Sequence, residues 1–113
     1  MSNYSGGGCI LNIASDLSVT APNQRLYKKE GLSNKKHPLK NVTYSVIKSG
    51  LIGLTWYLAT YWIGKNIRCN CLSPSGIHNN NPEEFLQKIS LFIFLWRMAR
   101  KDEYRAAFQF LCS

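Results

Sequence analysis

The first apolar block of the chain is Cys9-Ile10-Leu11-Asn12-Ile13-Ala14, entered from Gly6-Gly7-Gly8 and closed by Ser15-Asp16. A short, mostly apolar run that follows a flexible turn predicts a buried strand. From Ala21-Pro22 to about Lys40 the chain becomes polar and basic, and Gly31, Ser33, Asn34 and Pro38 give it loop composition. Such a length exceeds most connections in compact domains and marks a functional or disordered loop. At Thr43 the pattern changes: Val46, Ile47, Leu51, Leu54, Leu58, Trp62 and Ile63 recur at helical spacings. They predict a long helix, capped by Asn41 or Thr43 and stopped at Gly64-Lys65-Asn66. Ile67-Arg68-Cys69-Asn70-Cys71-Leu72 alternates and runs into Ser73-Pro74-Ser75-Gly76, which predicts a second strand and a loop. Asn81-Pro82-Glu83-Glu84 opens a further helix, with Asn81 as cap and Pro82 in the first turn, turning Phe85, Leu86, Ile89 and Phe92 inward. A last helix, from about Lys101 to Cys112, gathers Tyr104, Ala107, Phe108 and Leu111 on one face.

Strand, helix, strand in this order is a parallel crossover, a right-handed unit whose functional groups collect at the carboxyl ends of the strands. Here those ends are Ser15 and the Pro74 loop. A chain of 113 residues with 45% apolar content fits one modest domain, expected to span 1–113 with the basic loop inserted at about 22–41. The uncharged run from Ser49 to Gly64 falls short of the ~20 residues that a spanning helix needs. No membrane span is expected. The net charge of +8 admits a small basic interaction module, binding nucleic acid or an anionic surface, as an alternative reading. Its distribution argues the other way: six of fourteen cations, Arg25, Lys28, Lys29, Lys35, Lys36 and Lys40, share the loop, as in a solvated surface segment. The cysteines lack disulfide spacing and no secretory signal precedes them, so a reducing cytoplasm is expected. Cys69 and Cys71 point to one face and invite a metal site with His78 or Cys112, but without paired spacing they read as core residues, and no metal is expected.

Tyr44 and Lys48 stand four apart at the start of the long helix, one turn from each other on one face. A cation so placed favours phenolate over phenol and makes Tyr44 a candidate proton donor and acceptor. Three motifs in order give the pair its context. Asn12-Ile13-Ala14-Ser15 closes a strand, Tyr44-Ser45-Val46-Ile47-Lys48-Ser49-Gly50 opens a helix, and Ile67 to Ile77 runs through Pro74-Ser75-Gly76. Together they resemble the short-chain dehydrogenase/reductase family, over nearly the whole chain from about Gly6 to Ser113.

The resemblance implies an α/β fold, part of a Rossmann-like doubly wound parallel sheet, made of strand, long helix, strand and two further helices. It implies hydride transfer between NAD or NADP and a small alcohol or carbonyl. Tyr44 would be the general acid or base, Lys48 would favour its phenolate and hold the nicotinamide ribose, and Ser15 would hold the substrate oxygen. Pro74, Gly76 and Ile77 would meet the nicotinamide carboxamide. The helix bearing Tyr44 often forms subunit contacts in the family, which points to a homo-oligomer. Several features depart from the family pattern. Ser15 and Tyr44 are further apart than usual, and the basic loop, with Tyr27 inside it, is expected to cover or shape the pocket. Ser75 replaces a glycine, and Phe94-Leu95-Trp96-Arg97 replaces a segment that usually holds proline and glycine. No strand, glycine-rich turn and helix in succession lie within these 113 residues to receive a pyrophosphate. The expectation is therefore a catalytic portion lacking the amino-terminal dinucleotide-binding half, truncated at both ends, inactive alone or complemented by a separate amino-terminal chain.

Overall fold

The computed structural model describes residues 6–27 and 39–113, so Lys28, Lys29, Lys35, Lys36 and His37 lie outside the described residues. Strand β1, Gly8–Ile13, pairs in parallel with β2, Ile67–Leu72, in a register running from Gly8 opposite Ile67 to Ile13 opposite Leu72. Helix α1, Val42–Tyr61, connects them, and α2, Glu83–Ser90, and α3, Arg105–Cys112, follow. This is the expected α/β order, with β1 set one residue earlier than its apolar block suggested. The entry to β1 depends on Gly7, whose φ of 80° lies in the left-handed region. A Cβ there would collide with the Asn66 carbonyl oxygen.

The N-cap of α1 is Asn41, whose Oδ1 accepts from the Thr43 amide at 3.0 Å. The face turned to the sheet is formed by Tyr44, Lys48, Leu51, Ile52, Thr55, Leu58 and Trp62, while Val46, Ile47, Leu54 and Ile63 are exposed. The expected apolar stripe had merged two faces, because this helix is apolar on nearly every side and its period cannot tell one from the other. A polar pin fixes the docking: Thr55 Oγ1, buried, accepts from Asn12 Nδ2 at 2.9 Å and donates to the Leu51 carbonyl at 2.7 Å. Asn12 points to α1, and side chains alternate along a strand, so Cys9 and its partner Arg68 point the other way. There Cys9 Sγ donates to the Leu111 carbonyl at 3.1 Å, and the Arg68 guanidinium donates to the carbonyls of Leu111 and Ser113. Helices therefore cover both faces of the strand pair.

Two helix starts differ from expectation. Pro82 occupies the cap position of α2 and makes no side-chain capping bond, while Asn81 Oδ1 is turned back to the Asn79 amide at 3.0 Å. Helix α3 begins at Arg105, four residues late: the Glu103 carboxylate takes the Arg100 amide at 2.6 Å and holds the preceding residues in turns. Phe92, expected inward, lies beyond the end of α2 and is 58% exposed.

The core is thin. Among the described residues the buried apolar side chains are Ala14, Ile67, Cys69 and Met98. The accessible surface of 8515 Å² exceeds the roughly 6300 Å² of a compact monomer of this mass.

Candidate active site

The site is built where β1 and β2 end. Beyond β1, Ser15 caps a short 3-10 turn, Asp16–Ser18: Ser15 Oγ accepts from the Leu17 amide at 3.2 Å, and Ser18 Oγ accepts from the Ser15 amide at 3.0 Å. The same turn is fastened to α1. Ser18 Oγ donates to the Lys48 carbonyl at 3.0 Å, and Ser49 Oγ donates to the Ser18 carbonyl at 2.9 Å. Ser15 is thus held against the helical turn that carries Tyr44 and Lys48. Lys48 Nζ donates to the Ile13 carbonyl at 2.8 Å and lies 5.8 Å from the centre of the Tyr44 ring. An ammonium has three protons, so this one bond leaves Lys48 able to hold a further acceptor.

Beyond β2, the loop through Pro74 is tied to the same turn. The Asp16 amide donates to the Pro74 carbonyl at 3.1 Å, and Ser75 Oγ donates to Asp16 Oδ2 at 3.2 Å. The Ser75 amide donates to Tyr104 Oη at 3.1 Å. Gly76 and Ile77 then pair with Ala99, through a bond from the Ala99 amide to the Gly76 carbonyl and another from the His78 amide to the Ala99 carbonyl, both 2.9 Å. A Cβ at Gly76 would approach Met98 Cε to 2.9 Å, so the absence of a side chain lets buried Met98 close beneath the loop.

These segments line one cleft of about 770 Å³, which holds Ser15, Tyr44, Lys48, Pro74, Gly76 and Ile77 together. Every residue singled out for the site by its sequence motif is therefore at the same opening. The cleft also contains three residues that motif reasoning did not assign to it. Lys40, counted with the solvated loop cations, sets its Nζ 4.0 Å from the centre of the Tyr44 ring, a cation-π contact. Asp16 accepts from Ser15 Oγ at 2.9 Å with the same oxygen that receives the Leu17 amide. Tyr27 lies in the turn Gln24–Tyr27, its ring 5.9 Å from that of Phe85, and its phenol is pushed up by burial and by Tyr44 and Asp16 nearby. Its place inside the long loop was the one signal available.

Cys69 is buried and Cys71 half-buried, and burial with the neighbouring thiols of Cys71 and Cys9 pushes the Cys69 thiol up. Among the described residues no three His, Cys, Asp or Glu side chains gather as a metal site would require. His78 is exposed. No helix among the described residues is long and apolar enough to cross a membrane.

A parallel strand pair wrapped by helices, with serine, tyrosine and lysine at its carboxyl ends, is the arrangement of the short-chain dehydrogenases/reductases, and the chain belongs to that family: the sequence model of enoyl-(acyl carrier protein) reductase matches residues 29–113. Among its relatives, the 7α-hydroxysteroid dehydrogenase of Bacteroides fragilis is 36% identical over 90 residues, which are 76% of this chain and 29% of that protein. The D-threitol dehydrogenase of Mycolicibacterium smegmatis is 29% identical over 113 residues, covering 96% of this chain and 37% of that one. The crystal structure of a short chain dehydrogenase from Leptospira borgpetersenii with bound NAD+ superposes with a TM-score of 0.78 at 32% identity, over 94% of this chain and 37% of that structure. The chain thus spans about a third of the length of the relatives it matches. The alternative of a basic nucleic-acid module has no support.

Proposed function

We propose that this cleft is the proton-transfer site of an NAD(P)-dependent oxidoreductase acting on a small alcohol or carbonyl compound. The observation that carries the reading is the convergence of Ser15, Tyr44, Lys48 and the Pro74–Ile77 loop, from separate segments, on one opening. Tyr44 takes the proton of a substrate hydroxyl in oxidation and returns one in reduction. Lys40 and Lys48 set their ammonium groups 4.0 and 5.8 Å from the centre of the Tyr44 ring. The donor set fits the nicotinamide end of a dinucleotide: Lys48 has protons to spare for a ribose hydroxyl, and Pro74, Gly76 and Ile77 offer backbone groups for a carboxamide. When bound, the nicotinamide supplies or accepts the hydride.

Ser15 has a specific part in this arrangement. Its single proton goes to Asp16, and one lone pair receives the Leu17 amide. The one proton of a substrate alcohol goes to Tyr44, so Ser15 must turn its own proton from Asp16 to hold the substrate oxygen, whether alcohol or carbonyl. Tyr44, on the first turn of α1, and Ser15, beyond the end of β1, thus share the substrate oxygen. The free cysteines suit a reducing cytoplasm. The open strand edges suit association with a second copy or with a complementing amino-terminal chain.

Two measurements test the reading. Reduction of NAD+ or NADP+ by a panel of secondary alcohols should fall about 10²–10⁴-fold in Tyr44→Phe, the usual contribution of a general acid or base. Independently of turnover, saturation-transfer NMR should show contact between the chain and the nicotinamide ribose protons of NADH or NADPH, weakened in Lys48→Ala. Neither turnover nor contact would end the proposal.

A further inference from the structure

We infer that Asp16 is a positioning residue that withholds the Ser15 proton from a neutral substrate oxygen and releases it to one that carries negative charge. The inference rests on the oxidoreductase reading of the same cleft and concerns the moment at which Ser15 acts. Asp16 is fixed from backbone to carboxylate. The Asp16 amide donates to the Pro74 carbonyl at 3.1 Å, and the Asp16 carbonyl accepts from the Val19 amide at 3.2 Å and from Thr20 Oγ1 at 3.1 Å. On the side chain, Oδ1 accepts from Ser15 Oγ and from the Leu17 amide, both at 2.9 Å, and Oδ2 accepts from Ser75 Oγ at 3.2 Å. Ser75 is itself tied through its amide to Tyr104 Oη. A carboxylate held by Leu17 and Ser75 cannot follow the Ser15 hydroxyl when it turns, so the turn breaks their bond outright.

Two oxygens therefore compete for one proton. A hydrogen bond to an ionised oxygen is roughly twice as strong as one between neutral groups, so a neutral alcohol or ketone leaves the Ser15 proton on Asp16. The balance changes along the reaction. In reduction the carbonyl carbon receives the hydride of the reduced nicotinamide, its π pair moves to oxygen, and that oxygen takes the Tyr44 proton, leaving a phenolate and an oxidised nicotinamide. As the pair gathers, the substrate oxygen becomes an acceptor to match the carboxylate, in the cleft that Ser15 lines. Ser15 then turns to it. A bond made only at that point lowers the barrier without tightening the ground state. Ser75, where the family usually has glycine, serves the same end by holding Oδ2 in place.

The test needs no dinucleotide. Cyclohexanone stands for the neutral oxygen and 4-nitrophenolate, in alkaline buffer, for the charged one; each is titrated into the full chain and followed by NMR. In the wild-type chain both should shift the Tyr44 ring, but only 4-nitrophenolate should shift the Ser15 β-protons. Ser15→Ala should accordingly leave cyclohexanone affinity within about two-fold and weaken 4-nitrophenolate about ten-fold. Asp16→Asn keeps an acceptor for the Leu17 amide and makes the competing bond neutral. In that background Ser15→Ala should weaken cyclohexanone about five-fold, a non-additivity that a merely structural Asp16 does not produce. Equal effects of Ser15→Ala on cyclohexanone in the two backgrounds would overturn the proposal. So would Ser15 β-protons moved by cyclohexanone in the wild-type chain, a readout that stands even if a variant fails to fold. The two readings fail separately: this one on the Ser15 comparison, the oxidoreductase on absent turnover and absent nicotinamide contact. Probes that reach neither Tyr44 nor Ser15 would sink both.

Discussion

The Arg97 guanidinium grips both oxygens of Glu103, at 2.6 and 2.8 Å, and with the Arg100 amide it holds that carboxyl down at about 2. The folded value lies below the ordinary 4.5, so the unfolded chain is the first to take up the proton as pH falls. The contribution of this pair is complete above about pH 4.5 and fades toward pH 2. Amide exchange in residues 97–104 should quicken across that window, and Glu103→Gln should remove the dependence. Gly7 offers a steric test, since its left-handed φ and the Asn66 carbonyl both oppose a side chain. Gly7→Ala should cost about 1–3 kcal/mol of stability, measured by urea unfolding. Thiol labelling should reach exposed Cys112 first and buried Cys69 last, because burial keeps Cys69 in its unreactive protonated form.

Between elements, the decisive link is Asp16, which receives Ser15 from one strand end and Ser75 from the loop of the other. Asp16→Ala should quicken amide exchange at residues 75–77 and free the Ser15 hydroxyl. Ser75→Gly, which removes one bond and restores the family's usual residue, should cost about 1 kcal/mol or less. The order of strand, helix and strand was legible because each apolar run had its own period and its own stop. Ser15, Tyr44 and Lys48 were legible because motifs of local spacing lie at element ends, where backbone geometry fixes their direction. The sheet-facing side of α1 was hidden by apolar residues all round the helix. Lys40 and Asp16 were hidden for another reason: the contact of Lys40 with the Tyr44 ring and the bonds of Asp16 to Ser15 and Ser75 are tertiary, which no periodicity encodes.

At the scale of the molecule, a radius of gyration of 17.8 Å stands against about 13 Å for a compact domain of this length. Trp56, Tyr57, Tyr61 and Ile63 leave a wide apolar face of α1 and its end open, and Phe94 is fully exposed. Exposed surface of this kind drives association, so sedimentation velocity should show concentration-dependent self-association, reduced in Trp56→Glu. The ladder between β1 and β2 joins residues 59 apart in the chain. Closing such a loop costs about 3–4 kcal/mol of chain entropy before any strand bond forms, whereas α1 can grow from contacts within single turns. The expected route to the native state therefore leads through the helix, with Asn12 meeting Thr55 on an already formed α1 before the strands zip together. A chain whose α1 is slowed should refold late at Ser15 and at Pro74 alike, because both wait on the same closure.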